Sequence, residues 1–431
     1  MARAAYALLL RLALPLYFAR LWWRGRQEPE YRRHWRERLG GGVGAQPPAR
    51  LWIHAVSLGE TRAAEPLIAA LRAQQPGLRL LLTHGTATGR EAGRALLHEG
   101  DAQAWLPYDT PGAVRRFLRR HRPRAGVLLE TEVWPALLHA AQQAGVPMML
   151  ANARLSARSQ ARGERLAVLM RPAVAAIGTV LAQTEADAAR LRALGAGDVR
   201  VLGNLKFDMA PPPALLDQGR AWRSALGRPV VLAAATREGE EAPLLQAWAG
   251  VRGPRPLLVL VPRHPQRFDA VVAMVSAAGL NGLRRSAWRA GLPPAARDVD
   301  VWVGDSLGEM PLYYALADVA LLGGSYAPLG GQNLIEAAAC GCPLLIGPHT
   351  FNFAQAAELA LAAGAAERCA DLPAAVRRAL EVASDPARAA WSARALAFAG
   401  RHRGAAERMA AAVLAQLPPQ AGGSSRVPAA G

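Results

Sequence analysis

GNLKFDMAPPP (203–213), followed at 229–236 by PVVLAAAT, is the passage on which the fold turns. Three successive prolines fix φ and donate no backbone hydrogen bond, so Pro211–Pro213 reads as a linker. The β-branched apolar run that follows restarts a pattern already seen upstream. There, LWIHAV (51–56), RLLLTH (79–84), AGVLLE (125–130), VPMMLAN (146–152) and TVLAQT (179–184) read as buried parallel strands, each followed by a helix-like segment. Downstream, PVVLAAAT, RPLLVLVPRH (255–264), VWVGD (301–305), ADVALLGG (317–324) and CPLLIG (342–347) repeat the alternation. Strands alternating with helices predict doubly wound α/β sheets. The expected organisation is a membrane-anchoring segment at 1–24, one Rossmann-like domain at 25–208 and a second at 209–416. These two domains are expected to face a central cleft, the GT-B arrangement, with a disordered Pro/Gly/Ser-rich tail at 417–431.

The stretch Ala4–Trp23 is strongly apolar but broken by Arg11, Pro15 and Arg20. It is close to the roughly 20 residues that cross a bilayer. Seven arginines lie between Arg20 and Arg38, with Trp22 and Trp23 at the junction, which is the pattern of an interfacial belt and a cytoplasmic basic flank. A crossing helix and a helix dipping into one leaflet both fit. The net charge of +18 over 431 residues implies anionic partners. No nucleic-acid motif accompanies it, so nucleic acid is not the expected partner; phosphate-bearing small molecules and an anionic membrane surface are. Cys340, Cys342 and Cys369 have neither the number for a disulfide framework nor a zinc spacing, so they read as packing residues and no metal is expected. Of the 51 basic residues only Lys206 is a lysine. A site that keeps lysine amid arginines suggests a need for a compact ammonium.

Ligands in open parallel sheets sit beyond the carboxyl ends of the strands. Glu60 in HAVSLGE (54–60) follows the first strand, where a carboxylate also suits a helix start. Glu130 and Glu132 in LLETEVWP end another strand, and NARLSARS (152–159) forms a further polar loop. In the second half, Arg263 and His264 end a strand where an arginine can meet a phosphate. Leu307, Gly308 and Glu309 lie in GDSLGEM (304–310). The run GGSYAPLGGQNLIEAAACGCP (323–343) offers glycines for close backbone approach and a helix start near Asn333. Glu336 lies on the same helical face as Asn333 and is placed to accept ribose hydroxyls.

Taken in order, HAVSLGE, ETEVWP, NARLS, GNLKFD, TREGEE, PRHP, DSLGE and GGQNLIEAAACGCPLLIGPHTFNF resemble the 3-deoxy-D-manno-octulosonic acid (Kdo) transferases. The resemblance implies an inverting, metal-free transfer of Kdo from CMP-Kdo to a lipid A precursor, lipid IVA, at the cytoplasmic face of the inner membrane. CMP-Kdo is then the donor substrate and no cofactor is implied. By resemblance Glu60 is the general base, and Glu130 and Lys206 stabilise the transition state. Arg263, His264, Leu307, Gly308, Glu309, Asn333, Leu334, Ile335 and Glu336 fall on CMP-binding segments. The chain departs from the family pattern at Ala235, Arg237, Gln332 and Ala337. Two other readings are a GT-B enzyme using a UDP-sugar, transferase or epimerase, and a non-catalytic membrane scaffold.

Overall fold

In the computed structural model, which describes residues 1–42, 50–288 and 291–418, the chain forms two units. Unit 1 comprises Met1–Met209 with Gly404–Gly431, and unit 2 comprises Ala210–Arg403. Unit 1 is built on β1 (Leu51–His54), β2 (Leu80–His84), β3 (Ala102–Trp105), β4 (Ala125–Leu129), β5 (Met148–Ala153), β6 (Thr179–Ala182) and β7 (Asp198–Val201). All seven are parallel, in the order β3-β2-β1-β4-β5-β6-β7. Unit 2 holds β8 (Val230–Thr236), β9 (Leu257–Pro262), β10 (Gly282–Arg284), β11 (Val301–Val303), β12 (Val319–Leu322), β13 (Leu344–Ile346) and β14 (Ala366–Arg368). Their order is β10-β11-β9-β8-β12-β13-β14, again all parallel. Both are doubly wound sheets of the expected class.

Alternation along β1 shows why the central strands are apolar throughout. Leu51 and Ile53 enter the core under one face of the sheet and Trp52 the core under the other. Helices cover both faces, so neither side of the strand is wet. The two halves of each sheet wind outward in opposite directions from a central pair, β1 and β4 in unit 1 and β8 and β12 in unit 2, with β11 returning to fill the place between β9 and β10. Such switch points open a crevice outside the strand ends.

One boundary differs from the sequence reading. The helix Ala405–Ala415, expected within the second domain, packs Ala405, Ala406, Met409, Ala410 and Val413 into the unit 1 core with Leu67, Ile68 and Leu71. Asp208 holds its start, accepting the N–H groups of Gly404 and Ala406. An alanine-rich helix carries no sign of which core it will join; small side chains let it approach either. The expected tail lies, beyond residue 418, outside the described residues.

The apolar N-terminal segment forms a helix, Ala2–Arg24, long and apolar enough to cross a membrane by length and composition. One face is docked on unit 1. Tyr6 Oη donates to Asp109 at 2.8 Å, Arg38 donates to Tyr17 Oη at 3.1 Å, and Tyr17 packs edge-on against Tyr108. The opposite face leaves Leu8, Leu9, Leu12, Leu16 and Trp23 exposed.

Candidate active site

At the unit 1 switch point, the sequence after β1 turns directly into the helix Leu58–Gln74. Ser57 caps it, its Oγ accepting from the N–H of Glu60, while the Glu60 carboxylate accepts from the N–H of Val56. This reciprocal arrangement is a variant of the capping box, and it fixes the carboxyl beside the crevice. Burial raises the Glu60 carboxyl, and the negative charges of Glu130 and Glu132 raise it further, to about 7. The N–H groups of Val56 and Ser57 oppose the shift without cancelling it.

Glu130 follows β4, the neighbouring strand. Its backbone is left-handed, with φ of 58°, a costly conformation for a non-glycine residue. The strand ladder holds it there: its N–H donates to Ala151 O and its carbonyl accepts from Arg154 N. The turn directs the Glu130 carboxylate to Lys206 Nζ at 3.0 Å, with both side chains largely buried. Glu132 accepts from Trp134 Nε1 at 2.7 Å and is raised by burial. His54, fully buried at the end of β1, is pushed down to about 3 by burial and by His84, so it stays neutral. Three carboxylates thus share one crevice with Lys206. Glu60 and Glu130, read from strand-end positions, and Lys206, singled out by its rarity, are distant in sequence and lie together here.

The turn Leu205–Asp208 that carries Lys206 is held by Asn204 and Asn152, from the GNLKFD and NARLSARS stretches, and by Gln183. Asn204 accepts from the N–H of Lys206, and its amide donates to Gln183 Oε1 at 3.1 Å. Asn152, buried with a left-handed φ of 52°, accepts the N–H of Leu205 at 3.1 Å. The left-handed position at Glu130 carries no composition signal, whereas at 152 asparagine is a residue type that tolerates that conformation.

In unit 2 the expected donor-binding residues follow β9, β11 and β12, neighbours around the second switch point. Arg263 and His264 are exposed just past β9. The imidazole is pushed down by partial desolvation and then by Arg237, Arg263 and Arg267, which identifies a cationic group suited to a phosphate. Leu307 is exposed and Gly308 has φ of 85°. Glu309 starts the next helix and accepts from Arg285 at 2.8 Å, so its charge is engaged within the unit. Asn333 caps the short helix Leu334–Ala339, its side chain accepting from Ile335 N at 3.2 Å. Leu334 and Ile335 are buried, so only their backbones are available to a ligand. Glu336 is half-buried on that helix.

The glycine-rich loop after β12 is shaped by a residue the sequence reading quoted without a role. Glu240 is almost fully buried, yet its carboxylate accepts four backbone N–H groups: Arg237 at 2.9 Å, Gly324 at 2.7 Å, Tyr326 at 3.1 Å and Ala327 at 3.2 Å. It therefore ties the loop after β8 to the loop after β12. Only glycine fits at 323, where a Cβ would lie 2.4 Å from Ala235 O.

A family model described as 3-deoxy-D-manno-octulosonic-acid transferase (kdotransferase) matches residues 33–209. A 3-deoxy-D-manno-octulosonic acid transferase of Bordetella pertussis is 50% identical over 423 residues, covering 95% of this chain and 98% of that one. Its counterpart in Haemophilus influenzae is 34% identical, covering 82% of this chain and 84% of the relative. Among solved structures, a UDP-GlcNAc 2-epimerase from Neisseria meningitidis superposes with a TM-score of 0.58 at 15% identity, covering 85% of this chain and 99% of that one. That likeness reaches the GT-B fold and no further, whereas identity at the level of the Bordetella protein extends over nearly the whole chain. The chain belongs to the 3-deoxy-D-manno-octulosonic acid transferase family of glycosyltransferases.

Proposed function

We propose that the chain transfers Kdo from CMP-Kdo to a lipid A precursor, lipid IVA, with inversion at the anomeric carbon. The observation that carries this reading is the Glu60 carboxyl, raised to about 7 beside the Glu130–Lys206 pair at the β1/β4 crevice. An acceptor hydroxyl is a poor nucleophile at neutral pH, so a carboxylate must take its proton as attack proceeds. Glu60 has the basicity for that task. The acceptor oxygen bonds to the anomeric carbon, the bond from that carbon to the phosphate oxygen breaks, and CMP leaves with the electron pair. Glu130 serves twice, holding the Lys206 ammonium and raising the Glu60 carboxyl through its charge. Lys206 supplies a fixed cation for charge developing in the transition state.

The donor is assigned to unit 2. Arg263, with Arg237 and Arg267 around His264, receives the phosphate. The backbone of the 323–331 loop and of Asn333–Ile335, with Gly308, shapes the nucleoside pocket, and Glu336 accepts from the ribose. The exposed apolar face of the Ala2–Arg24 helix and its basic flank support a seat on an anionic membrane surface, assigned here to the cytoplasmic face of the inner membrane, where the acceptor lies.

The test is direct. Purified chain, CMP-Kdo and the lipid acceptor are incubated, and products are weighed by mass spectrometry. One or more Kdo units added with an equal release of CMP is the expected result. Failure of transfer, or release of UDP from UDP-sugars instead, overturns the reading.

A further inference from the structure

A cavity of about 50 Å³ opens beneath the first turns of the N-terminal helix, where it meets the start of the helix Pro111–His121 and one side of the helix Pro135–Gln143. That is room for more than one water molecule and for a small tetrahedral group. Its polar lining is Arg3, Tyr6, Arg115, His139 and Gln143, with no acidic side chain among the lining residues. Asp109, the carboxylate of this corner, is already saturated: it is buried and accepts from Tyr6 Oη and from the N–H groups of Ala136 and Leu137. Its bonds to those two N–H groups cap the Pro135–Gln143 helix, and its bond to Tyr6 pins the N-terminal helix over the cavity. Arg3 and Arg115 are exposed at the rim, and the His139 imidazole is pushed down by partial burial and by Arg3. The cavity is thus electrostatically unbalanced in favour of an anion.

A second observation says where that anion is carried. The helix that roofs the cavity presents Leu8, Leu9, Leu12 and Leu16 outward, more than half exposed each, while Tyr6 and Tyr17 bind it to unit 1. An apolar face held parallel to the protein surface suits the acyl boundary of a bilayer, with cationic groups at its end meeting lipid headgroups. We infer that this cavity is a binding site for a phosphate group borne by a membrane lipid, with Arg3, Arg115 and His139 as its donors. None of its lining residues belongs to the Glu60 crevice.

The experiment uses the full chain in detergent, with phosphatidylglycerol or phosphatidylcholine added, and native mass spectrometry to count bound lipid. Wild type is compared with the Arg3→Ala/Arg115→Ala variant and with Arg11→Ala/Arg20→Ala, which removes the same charge from the helix away from the cavity. Expected is a retained phosphatidylglycerol adduct whose affinity falls at least tenfold in the first variant only. Equal losses in both variants, or no loss in either, overturn the inference. The source of the phosphate follows from turnover in micelles free of anionic phospholipid. An acceptor KM raised about tenfold in the first variant assigns the cavity to the acceptor's own phosphate; an unchanged KM with the adduct lost assigns it to bilayer phospholipid.

Discussion

The two switch points share a topology and solve opposite problems. At β1/β4 the strand ends project carboxylates, Glu60, Glu130 and Glu132, into one buried place with Lys206. At β8/β12 a carboxylate is also buried, but Glu240 is turned inward, its oxygens consumed by four backbone N–H groups. The difference teaches what decides a buried acid's role. A carboxylate whose oxygens are taken up by fixed donors becomes scaffold; one raised by burial and then by neighbouring like charge, as Glu60 is, is suited to accept a proton.

The largest test of this contrast is Glu60→Gln. Transfer is expected to fall by about a thousandfold, within the range of general-base loss, while CMP binding, measured by calorimetry, stays within twofold. Wild-type turnover at low donor concentration should rise through pH 7, because the base role proposed for Glu60 requires its ionised form. A flat profile between pH 6 and 8 removes it from that role. Stability moves the other way. The folded carboxyl is raised from 4.5 to about 7, so its ionisation costs stability, fully present below the unfolded value and lost as pH rises through 7. Glu60→Gln should therefore exceed wild type in unfolding free energy at pH 8, by on the order of 3 kcal/mol, with the gap closing near pH 4.

Next in size is Lys206→Arg. The charge is kept, but a planar guanidinium does not reproduce a compact ammonium at 3.0 Å from Glu130. Turnover is expected to drop ten- to a hundredfold with donor affinity unchanged; wild-type rates would make the lone lysine incidental. Glu240→Gln probes the other side of the comparison. An amide presents one acceptor oxygen where four N–H groups converge, so CMP affinity should fall about tenfold and unfolding free energy by about 2 kcal/mol. If affinity holds while stability falls, Glu240 supports the fold and not the nucleotide loop. The smallest effect is expected from Asp208→Ala, which frees the N–H groups of Gly404 and Ala406. Unit 1 should lose about 1–2 kcal/mol in urea unfolding, and amide exchange should quicken in Ala405–Ala415, with turnover nearly intact.

Much of this was legible along the chain. The ten central strands were read because both of their faces are buried, which forces continuous apolar runs. The four strands that escaped, β3, β7, β10 and β14, are the four sheet edges. An edge strand pairs on one side only and tolerates polar residues, as Asp198 and Arg200 in β7 and Arg284 in β10 show. Glu60, Glu130 and Lys206 stood out by strand-end position or rarity. Asn152 and Gln183 did not, because a side chain that braces a turn 53 or 21 residues away leaves no local pattern.

The sequence by itself determined two doubly wound sheets, the linker between them and the strand ends where chemistry collects. Apolar periodicity and proline placement are local properties that the backbone must obey. Only the tertiary structure decided that the last helix returns to unit 1, that Glu240 faces inward, and that the N-terminal helix lies docked along one face. Each of those depends on which distant donors and cores are within reach, and reach is fixed only after the chain has folded.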